Sequence, residues 1–496
     1  MTAPQTFAPK TAIMHGTKSF WQSSDKCLYA LALFALAWIF VLSGAAWLKL
    51  NALGMGFDLG MYEQVIWNTA QGRAFETSAF RYTNNHIGAD LIVLEAILAP
   101  LYALLPATMT MLVAQVFTVA LGALPMYLLA RDRLKSNWAG LGIAIAYLLY
   151  APLLYLTLNE FQPRAFALVC VLFAIYYLDK SRFRPYIAFL FISLLTRSDV
   201  ALFVIMLGVL AFLWRKPWKF SIVPFVMGAL WFVVAIFIVV PYFKTDSGGF
   251  IYFETYSWLG KTPGEMLVTI LTNPLYVLQT VFTPPKIQFL IQVFGPTLPF
   301  SLLRPDVLLL AAPTFALNLL SQYNVQSNIT RQYAAMLYPV MYASAVLGIA
   351  WLAKQKWFAP QKSRAFFVHA AVVWMLGLTI AESFVVGNPV VSQYRKGISP
   401  RVETVRGLVA SVPAEAGLGI SNHVGPFAGQ RERFYFFPPH EYYTHNTFEV
   451  SQYILVDAQA DGNTPGVKVG LEQLQSDPAW ELLMQRDGYV LYRKKE

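Results

Sequence analysis

The chain has 496 residues, of which 57% are hydrophobic and 13% are charged. Soluble domains carry about a quarter charged residues, so this composition excludes an ordinary soluble protein and indicates a membrane protein with many spans. The net charge of +10 is also typical of nucleic-acid binding, but Lys and Arg cluster at the ends of apolar runs, where they set membrane orientation. Cys27 and Cys170 lie in or beside apolar runs and support neither a disulfide framework nor a metal site.

The first apolar run, 28–50, is too long for the core of a signal peptide and is predicted to remain as a membrane anchor. Three lysines precede it, so the segment 1–27 is expected in the cytoplasm. The next clear span, 108–130, ends in the basic cluster at 131–135, which is expected on the same side. The chain between these spans must therefore lie on the outer side.

The segment 91–105 within that region resembles a span but is short and contains Glu95 and Pro100. If it crossed the membrane, the basic cluster after the next span would lie outside. We therefore predict a single outer loop, 51–106, with an interfacial helix at 91–105 and an amphipathic helix at 59–70.

Applied to the whole chain, the same criteria predict a transmembrane domain at 28–386 with a second outer loop at 243–286. Every basic cluster at the end of a span then falls on one side. The eleven predicted spans are 28–50, 108–130, 138–158, 165–178, 185–195, 200–214, 220–242, 287–303, 307–320, 336–353 and 365–386.

The last part of the chain, 387–496, has short apolar runs and nearly balanced charges, which is typical of a small domain outside the membrane. Alternating strand and helix patterns predict an α/β fold, and the span count places it on the outer side. The predicted strands are 419–421, 433–437, 453–457 and 489–493, and the predicted helices are 401–411 and 469–475. His423, His440 and His445 lack the spacing of a zinc site.

Acidic and polar residues are concentrated where the chain leaves the first span. Asp58 and Glu63 could act as general base or hold a divalent cation, and His86 and Asp90, four apart, could share a helix face. The alternative is that these residues cap helices and solvate the loop. The aromatic residues around Asp58 are predicted to offer stacking surfaces for a sugar or an interfacial lipid.

Charged residues also occur inside or beside the spans. Arg197 and Asp199 interrupt an apolar stretch and are either functional or an internal ion pair that joins two half-helices. Arg164 lies in a short outer turn, where it could meet a phosphate or act as an interfacial anchor. Arg331 and Tyr333 lie at the outer entrance of a span, where Arg331 is a candidate anion-binding residue.

Several motifs together resemble a family of bacterial membrane proteins. They are Phe57-Asp-Leu-Gly-Met-Tyr-Glu-Gln64, Trp67-Asn68, Asn85-His-Ile-Gly88, Ser421-Asn-His423 and Tyr453-Ile-Leu-Val-Asp457. This combination is similar to the DUF2079 family, which in turn resembles the GT-C glycosyltransferases in its many spans, long first outer loop and acidic residue after the first span. The resemblance implies a mainly α-helical, GT-C-like membrane fold with Asp58 as catalytic carboxylate. Departures from the family pattern at Gln162, Ser198 and Gln332 argue against a metal site at those positions.

The leading hypothesis is therefore a glycosyltransferase that transfers a hexose or pentose from a polyprenyl-phosphate donor on the outer face of the bacterial cytoplasmic membrane. In this hypothesis Asp58 and Glu63 are catalytic, and the substrate is bound by His86, Asp90, Arg164, Arg197, Asp199, Arg331 and Tyr333. The alternatives are a transporter or flippase for a lipid-linked or anionic solute, and a non-catalytic assembly protein. No nucleic acid is expected as a partner, and a divalent cation is left open as a cofactor.

Overall fold

The structure is a computed structural model that describes residues 25–245, 255–358, 360–439 and 445–495. Most of the predicted cytoplasmic segment 1–27, part of the second outer loop at 246–254, and His440 lie outside the described residues. The described chain is mainly α-helical, with a five-stranded sheet near its C-terminus.

The helices are longest between the first span and residue 385. They are α1 Lys26–Asn51, α2 Phe57–Ala70, α3 Leu94–Leu104, α4 Thr108–Leu121, α5 Ala123–Leu134, α6 Asn137–Leu149, α7 Ala151–Leu158, α8 Pro163–Asp179, α9 Phe183–Leu194, α10 Val200–Leu213, α11 Trp218–Val234, α12 Val240–Phe243, α13 Pro263–Thr272, α14 Pro274–Val281, α15 Pro284–Phe294, α16 Pro305–Leu308, α17 Ala312–Leu320, α18 Leu337–Leu352, α19 Gln361–Val385, α20 Pro389–Lys396, α21 Val402–Ala410, α22 Thr447–Val450 and α23 Pro465–Ser476. The strands are β1 Leu418–Ile420, β2 Phe434–Phe436, β3 Tyr453–Asp457, β4 Trp480–Arg486 and β5 Tyr489–Lys494.

Four continuous helical segments in the described chain are long and apolar enough to cross a membrane, and the bent pair α6–α7 makes a fifth. The four are α1, α4 with α5, α11 with α12, and α19. Shorter apolar helices such as α9, α10 and α18 complete the bundle, so the helix count is broadly consistent with the eleven predicted spans. Helix α18 has 16 residues and is buried from Leu337 to Ala350, which makes it the centre of the bundle.

Two further predicted spans are not continuous helices. In place of the span 287–303, α15 ends at Phe294 and short 3-10 turns continue to Leu303. In place of the span 307–320, α16 and α17 are separated by a 3-10 turn. Proline explains both breaks, because Pro296, Pro299 and Pro313 lack the N–H that a continuous α-helix requires.

The two outer segments contain more helix than a simple loop. Helix α3 has 11 residues, or about 16 Å of rise, roughly half the hydrocarbon thickness of a bilayer, in agreement with an interfacial helix that does not cross. Its apolar residues Ile97 and Leu104 are 52% and 79% exposed. The second outer segment, predicted as a polar loop, contains α13 and α14, whose exposed Leu271 and Leu275 present an apolar surface.

The C-terminal domain contains one mixed sheet with the strand order β2-β1-β3-β5-β4. Strand β1 is parallel to β2 and β3, whereas β5 is antiparallel to β3 and β4. At the end of β3, Asp457 accepts hydrogen bonds from Arg401 and His423. Burial opposes ionisation of Asp457, but these hydrogen bonds outweigh it and hold its pKa well below the ordinary value.

Candidate functional site

Helix α2 begins at Phe57, and its N-terminus is capped by side chains from distant parts of the chain. Glu160, in the turn between α7 and α8, accepts hydrogen bonds from the backbone N–H groups of Gly56 (3.0 Å) and Leu59 (2.9 Å). Asn422 of the C-terminal domain accepts one from the N–H of Phe57 at 2.9 Å. A helix N-terminus leaves N–H groups without partners, and these two side chains satisfy three of them. They thereby hold the first turn of α2, which carries Asp58.

Asp58 and Glu160 are two carboxylates that interact electrostatically. Asp58 is exposed, yet the surrounding protein desolvates it, and this desolvation raises the pKa of its carboxyl group. The positive charges of Arg331 and Arg197 oppose the rise. Desolvation and the charge of Asp58 together raise the pKa of Glu160 to about 7. Glu160 can therefore change its charge near neutral pH.

The glycines of the motif let the C-terminal domain approach α2 closely. A Cβ atom on Gly60 would lie 2.2 Å from the carbonyl oxygen of Gly425. The adjacent Phe57 ring packs against Phe434 and Phe436, with ring centroids 5.1 and 5.3 Å away. The domain that follows the bundle is thus packed directly behind the candidate acid.

Glu63 lies on another side of α2 and has a different environment. It is 1% exposed and accepts hydrogen bonds from Tyr102 (2.6 Å), Thr108 (2.8 Å) and Gln430 (3.3 Å). Burial raises the pKa of its carboxyl group. It lines a separate cavity of about 270 Å³ below the C-terminal domain. The structure therefore does not bring Glu63 together with the arginines near Asp58.

The junction between α9 and α10 holds a network of four charged groups. Arg197 Nε lies 2.9 Å from Asp90 Oδ2 of the first outer loop and 3.4 Å from Asp199 Oδ1. Arg164, at the start of α8, donates to Asp199 Oδ2 from Nε (3.1 Å) and Nη2 (2.7 Å). Four candidate residues from three parts of the sequence therefore lie in one network, and the junction contacts the segment predicted as the first outer loop.

Arg164 has further binding capacity within that site. Its Nη1 atom is buried and has no hydrogen-bond partner among the described residues. Its guanidinium lies 5.8 Å from the ring centroid of Tyr333, another of the predicted substrate-binding residues. A buried guanidinium nitrogen without a partner is costly unless a ligand accepts its hydrogen bond.

A cavity of about 150 Å³ opens beside this network. One end is charged and is lined by Asp90, Arg164, Arg197 and Asp199. The remainder is mostly apolar. Its apolar lining comes from α10, α11 and its continuation, and α17, and comprises Leu202, Phe203, Phe232, Ile236, Pro313 and Leu317. This combination suits a molecule with an anionic head and a hydrocarbon chain.

His86 and Asp90 do not act as one pair. His86 Nδ1 lies 2.6 Å from Glu95 Oε1, and its ring is stacked on Phe80 and edge-on to Tyr62. His86 is 3% exposed, although its charge can still influence Asp58. Asp90 instead faces the arginine network.

Arg331 is exposed and forms no ion pair with the described parts of the chain. It is close enough to Asp58 to lower the pKa of that carboxyl group electrostatically. Arg331 can therefore offer its guanidinium to an anion without breaking an internal contact.

The aromatic residues around Asp58 do not form a sugar-stacking surface, contrary to the expectation from sequence. Phe57 and Tyr62 are buried, and Tyr62 packs edge-on against Phe161. Trp67 lies under Arg73 at 5.1 Å. These rings anchor α2 to its neighbours because an amphipathic helix enclosed on several sides must bury its aromatic side chains.

Residues 49–491 match the protein family described as "Predicted membrane protein (DUF2079)". The chain belongs to this family. Among curated proteins no sequence matches it. Its structure is similar to that of ArnT from Cupriavidus metallidurans bound to undecaprenyl phosphate, with a TM-score of 0.55, 12% sequence identity, and coverage of 95% of this chain and 98% of ArnT. The apo state of the same ArnT gives a TM-score of 0.53 at 12% identity, with coverage of 92% and 98%. This DUF2079 protein therefore shares the fold of ArnT.

Two residues of the DUF2079 site were not among the predicted site residues. Glu160 lies in the short turn before Arg164, and Asn422 lies in one of the family motifs. Sequence spacing could not identify them, because they lie 104 and 365 positions from the amides that they cap. No group of three or more His, Cys, Asp or Glu residues suited to a metal ion occurs within the described ranges.

Proposed function

We propose that this DUF2079 protein is a GT-C-like glycosyltransferase that transfers a sugar from a polyprenyl-phosphate donor at the outer face of the membrane. The observation that carries the proposal is the cavity with a charged end and an apolar wall, in which Arg164 retains a guanidinium nitrogen without a partner. The GT-C fold supports the same reaction class, and the ArnT with that fold was crystallised with undecaprenyl phosphate.

The donor would lie with its hydrocarbon chain along the apolar wall and its phosphate at the charged end. Arg164 supplies an unused hydrogen-bond donor, and Arg331 supplies a positive charge that no described carboxylate neutralises at ion-pair distance. Asp90 and Asp199 hold the two arginines of the network in place and balance their charges, which leaves Arg331 as the excess positive charge. A monoanionic phosphodiester fits this balance better than a more highly charged ligand.

Asp58 would act as the general base. It accepts the proton of the acceptor hydroxyl while that oxygen attacks the anomeric carbon of the donor sugar. The bond between the anomeric carbon and the phosphate oxygen breaks, and polyprenyl phosphate leaves with its new negative charge facing Arg331. Desolvation raises the pKa of Asp58, and a base with a raised pKa is more efficient at working pH.

His86 and Tyr333 have supporting roles in this proposal. His86, held by Glu95, contributes charge near Asp58, and Tyr333 provides the ring beside the Arg164 guanidinium. In this proposal Glu63 fixes the position of α2 and takes no part in catalysis, because its carboxylate already accepts three hydrogen bonds and is almost fully buried.

The test is the Asp58→Asn variant of the full-length protein, assayed in membranes with a panel of polyprenyl-phosphate-linked hexoses and pentoses. Transfer should fall about 10²- to 10⁴-fold, as for other positioned acid–base groups. Binding of undecaprenyl phosphate, measured by native mass spectrometry, should remain unchanged because arginines hold the phosphate.

Glu76→Gln is the matched control, since Glu76 is an exposed carboxylate in the same outer loop and its nearest ion-pair partner is 3.8 Å away. Equal transfer by the Asp58→Asn variant and the native protein would reject the assignment. Undiminished movement of lipid-linked substrate across vesicles by that variant, without transfer, would favour the transporter alternative.

A further inference from the structure

A second cavity, of about 880 Å³, lies at the end of the bundle opposite Asp58. It is enclosed by the ends of α5, α8 and α18 and by the start of α19. Helix α1 runs between the two ends of the bundle. Asp25, at its start, lies 3.8 Å from Arg131 beside the second cavity. Asn51, at its end, accepts a hydrogen bond from Arg406 of the C-terminal domain, on the side of Asp58. The predicted topology places this second cavity at the cytoplasmic boundary of the membrane.

The cavity carries an excess of positive charge. Its charged lining comprises five cations and two carboxylates: Arg133, Lys135, Lys180, Lys354, Arg364, Asp132 and Asp179. Arg133 pairs with Asp179, and Lys180 pairs with Asp132. The remaining three cations, Lys135, Lys354 and Arg364, form no ion pair or hydrogen bond through their side chains with any described residue. The walls therefore offer three uncommitted donors to an anion.

The floor of the cavity is apolar, and its surroundings are suited to lipid. Leu134, Ala353 and Val368 line it and are largely buried. On α19, next to the lining residues, Phe366 is 77% exposed and Val373 is 68% exposed, as expected for a helix face in contact with acyl chains. An anion that enters this cavity can thus keep a hydrocarbon chain against the outside of α19.

We propose that this cavity binds the phosphate group of an anionic membrane lipid. Basic residues that only orient a chain in the membrane require no enclosed space between helices, whereas here three unpaired cations surround one cavity with an apolar floor. Basic cavities between helices at the cytoplasmic boundary are suited to lipid phosphates. The recognised chemistry is a phosphate oxyanion, and the exposed apolar face of α19 favours a lipid over free phosphate as its source.

The proposal is tested with the full-length protein in detergent by native mass spectrometry against phosphatidylglycerol, phosphatidylcholine and inorganic phosphate. The triple variant Lys135→Gln, Lys354→Gln and Arg364→Gln should bind phosphatidylglycerol about 10- to 100-fold more weakly than the native protein. All three residues are exposed, so the variant is expected to fold. Ala365→Trp narrows the cavity without changing charge, and it should weaken binding as well.

The matched control is the triple variant Arg182→Gln, Arg184→Gln and Arg215→Gln, which removes the same charge from exposed sites at the same membrane end but outside the cavity. It should bind phosphatidylglycerol within about threefold of the native protein. Equal loss in both triple variants, or equal binding of phosphatidylcholine by the native protein, would overturn the proposal. Displacement of phosphatidylglycerol by millimolar inorganic phosphate would overturn the proposal that the ligand is a lipid and would indicate a soluble phosphate instead.

Discussion

Replacement of Gly60 by alanine tests whether close packing of the C-terminal domain positions the candidate acid. The new Cβ would lie 2.2 Å from the Gly425 carbonyl oxygen, whereas ordinary contacts begin at 3.4 Å, so the interface must open by about 1.2 Å. Overpacking of this kind costs about 1–3 kcal/mol, and the better helix propensity of alanine returns about 0.5–1 kcal/mol. The net loss of about 1–2 kcal/mol corresponds to roughly 5- to 30-fold more opening of the interface.

Hydrogen exchange followed by mass spectrometry measures this opening without knowledge of the substrate. Peptides from α2 and from the turn Asn422–Phe427 should exchange about 5- to 30-fold faster in the Gly60→Ala variant. Transfer activity should also fall about 100-fold, since a displacement of 1 Å is enough to spoil a catalytic geometry. Gly407→Ala is the control, because that glycine lies in α21 with no atom near its Cβ position. Unchanged exchange in the Gly60→Ala variant would refute the packing argument.

Three further predictions concern single charges. Glu160→Gln should lower the pH of half-maximal transfer, because Asp58 ionises more easily without the negative charge of a second carboxylate. The folded-state pKa of Glu160, about 7, exceeds its ordinary 4.5, so Glu160 stabilises the fold at low pH and loses this effect as the pH rises through 7. The melting temperature of the variant should therefore vary less between pH 4.5 and 7, and unaltered profiles of transfer and melting would contradict the interaction of the two carboxylates. Arg331→Gln should weaken undecaprenyl phosphate binding about 10- to 100-fold with little change in melting temperature, and equal affinity would remove Arg331 from the site. Asp457→Asn should destabilise the C-terminal sheet by about 3–5 kcal/mol, because the variant loses the buried 2.6 Å contact with Arg401. Hydrogen exchange of β3 measures this loss, and native-like protection of β3 would show that the contact does not stabilise the sheet.

The arrangement of spans was largely predictable because hydropathy and basic clusters report directly on the membrane. The bounds of α1, α8 and α18 differ from the predicted spans by one or two residues. Pro100 and the side of the membrane expected for Arg131 predict an interfacial position for α3, and its length of 11 residues is too short for a continuous span. Strand β3 was predicted with its observed bounds, since alternating or continuous apolar runs of five residues report burial in a sheet.

Features that depend on tertiary contacts were not predictable from one sequence. The aromatic residues near Asp58 suggested a ligand surface, but Phe57 packs against β2 and Tyr62 against Phe161, more than 90 positions away in each case. Strand β4 was missed because it is an edge strand whose residues after Trp480 are largely exposed, which removes the burial pattern. The residues of the charged network were predicted as separate candidates, and only the fold shows that they contact one another.

Because Asn422 caps α2, the first turn of α2 can be fixed only after the C-terminal domain has been synthesised and folded. All helices of the bundle precede Asn422 in the chain, so they can enter the membrane while the ribosome is still synthesising the final domain. During that interval the amide of Phe57 lacks its partner and the turn that carries Asp58 is incompletely fixed. A product that ends before Asn422 is therefore expected to insert with the candidate base incompletely held, so that synthesis of the C-terminal domain becomes a condition for the proposed transfer.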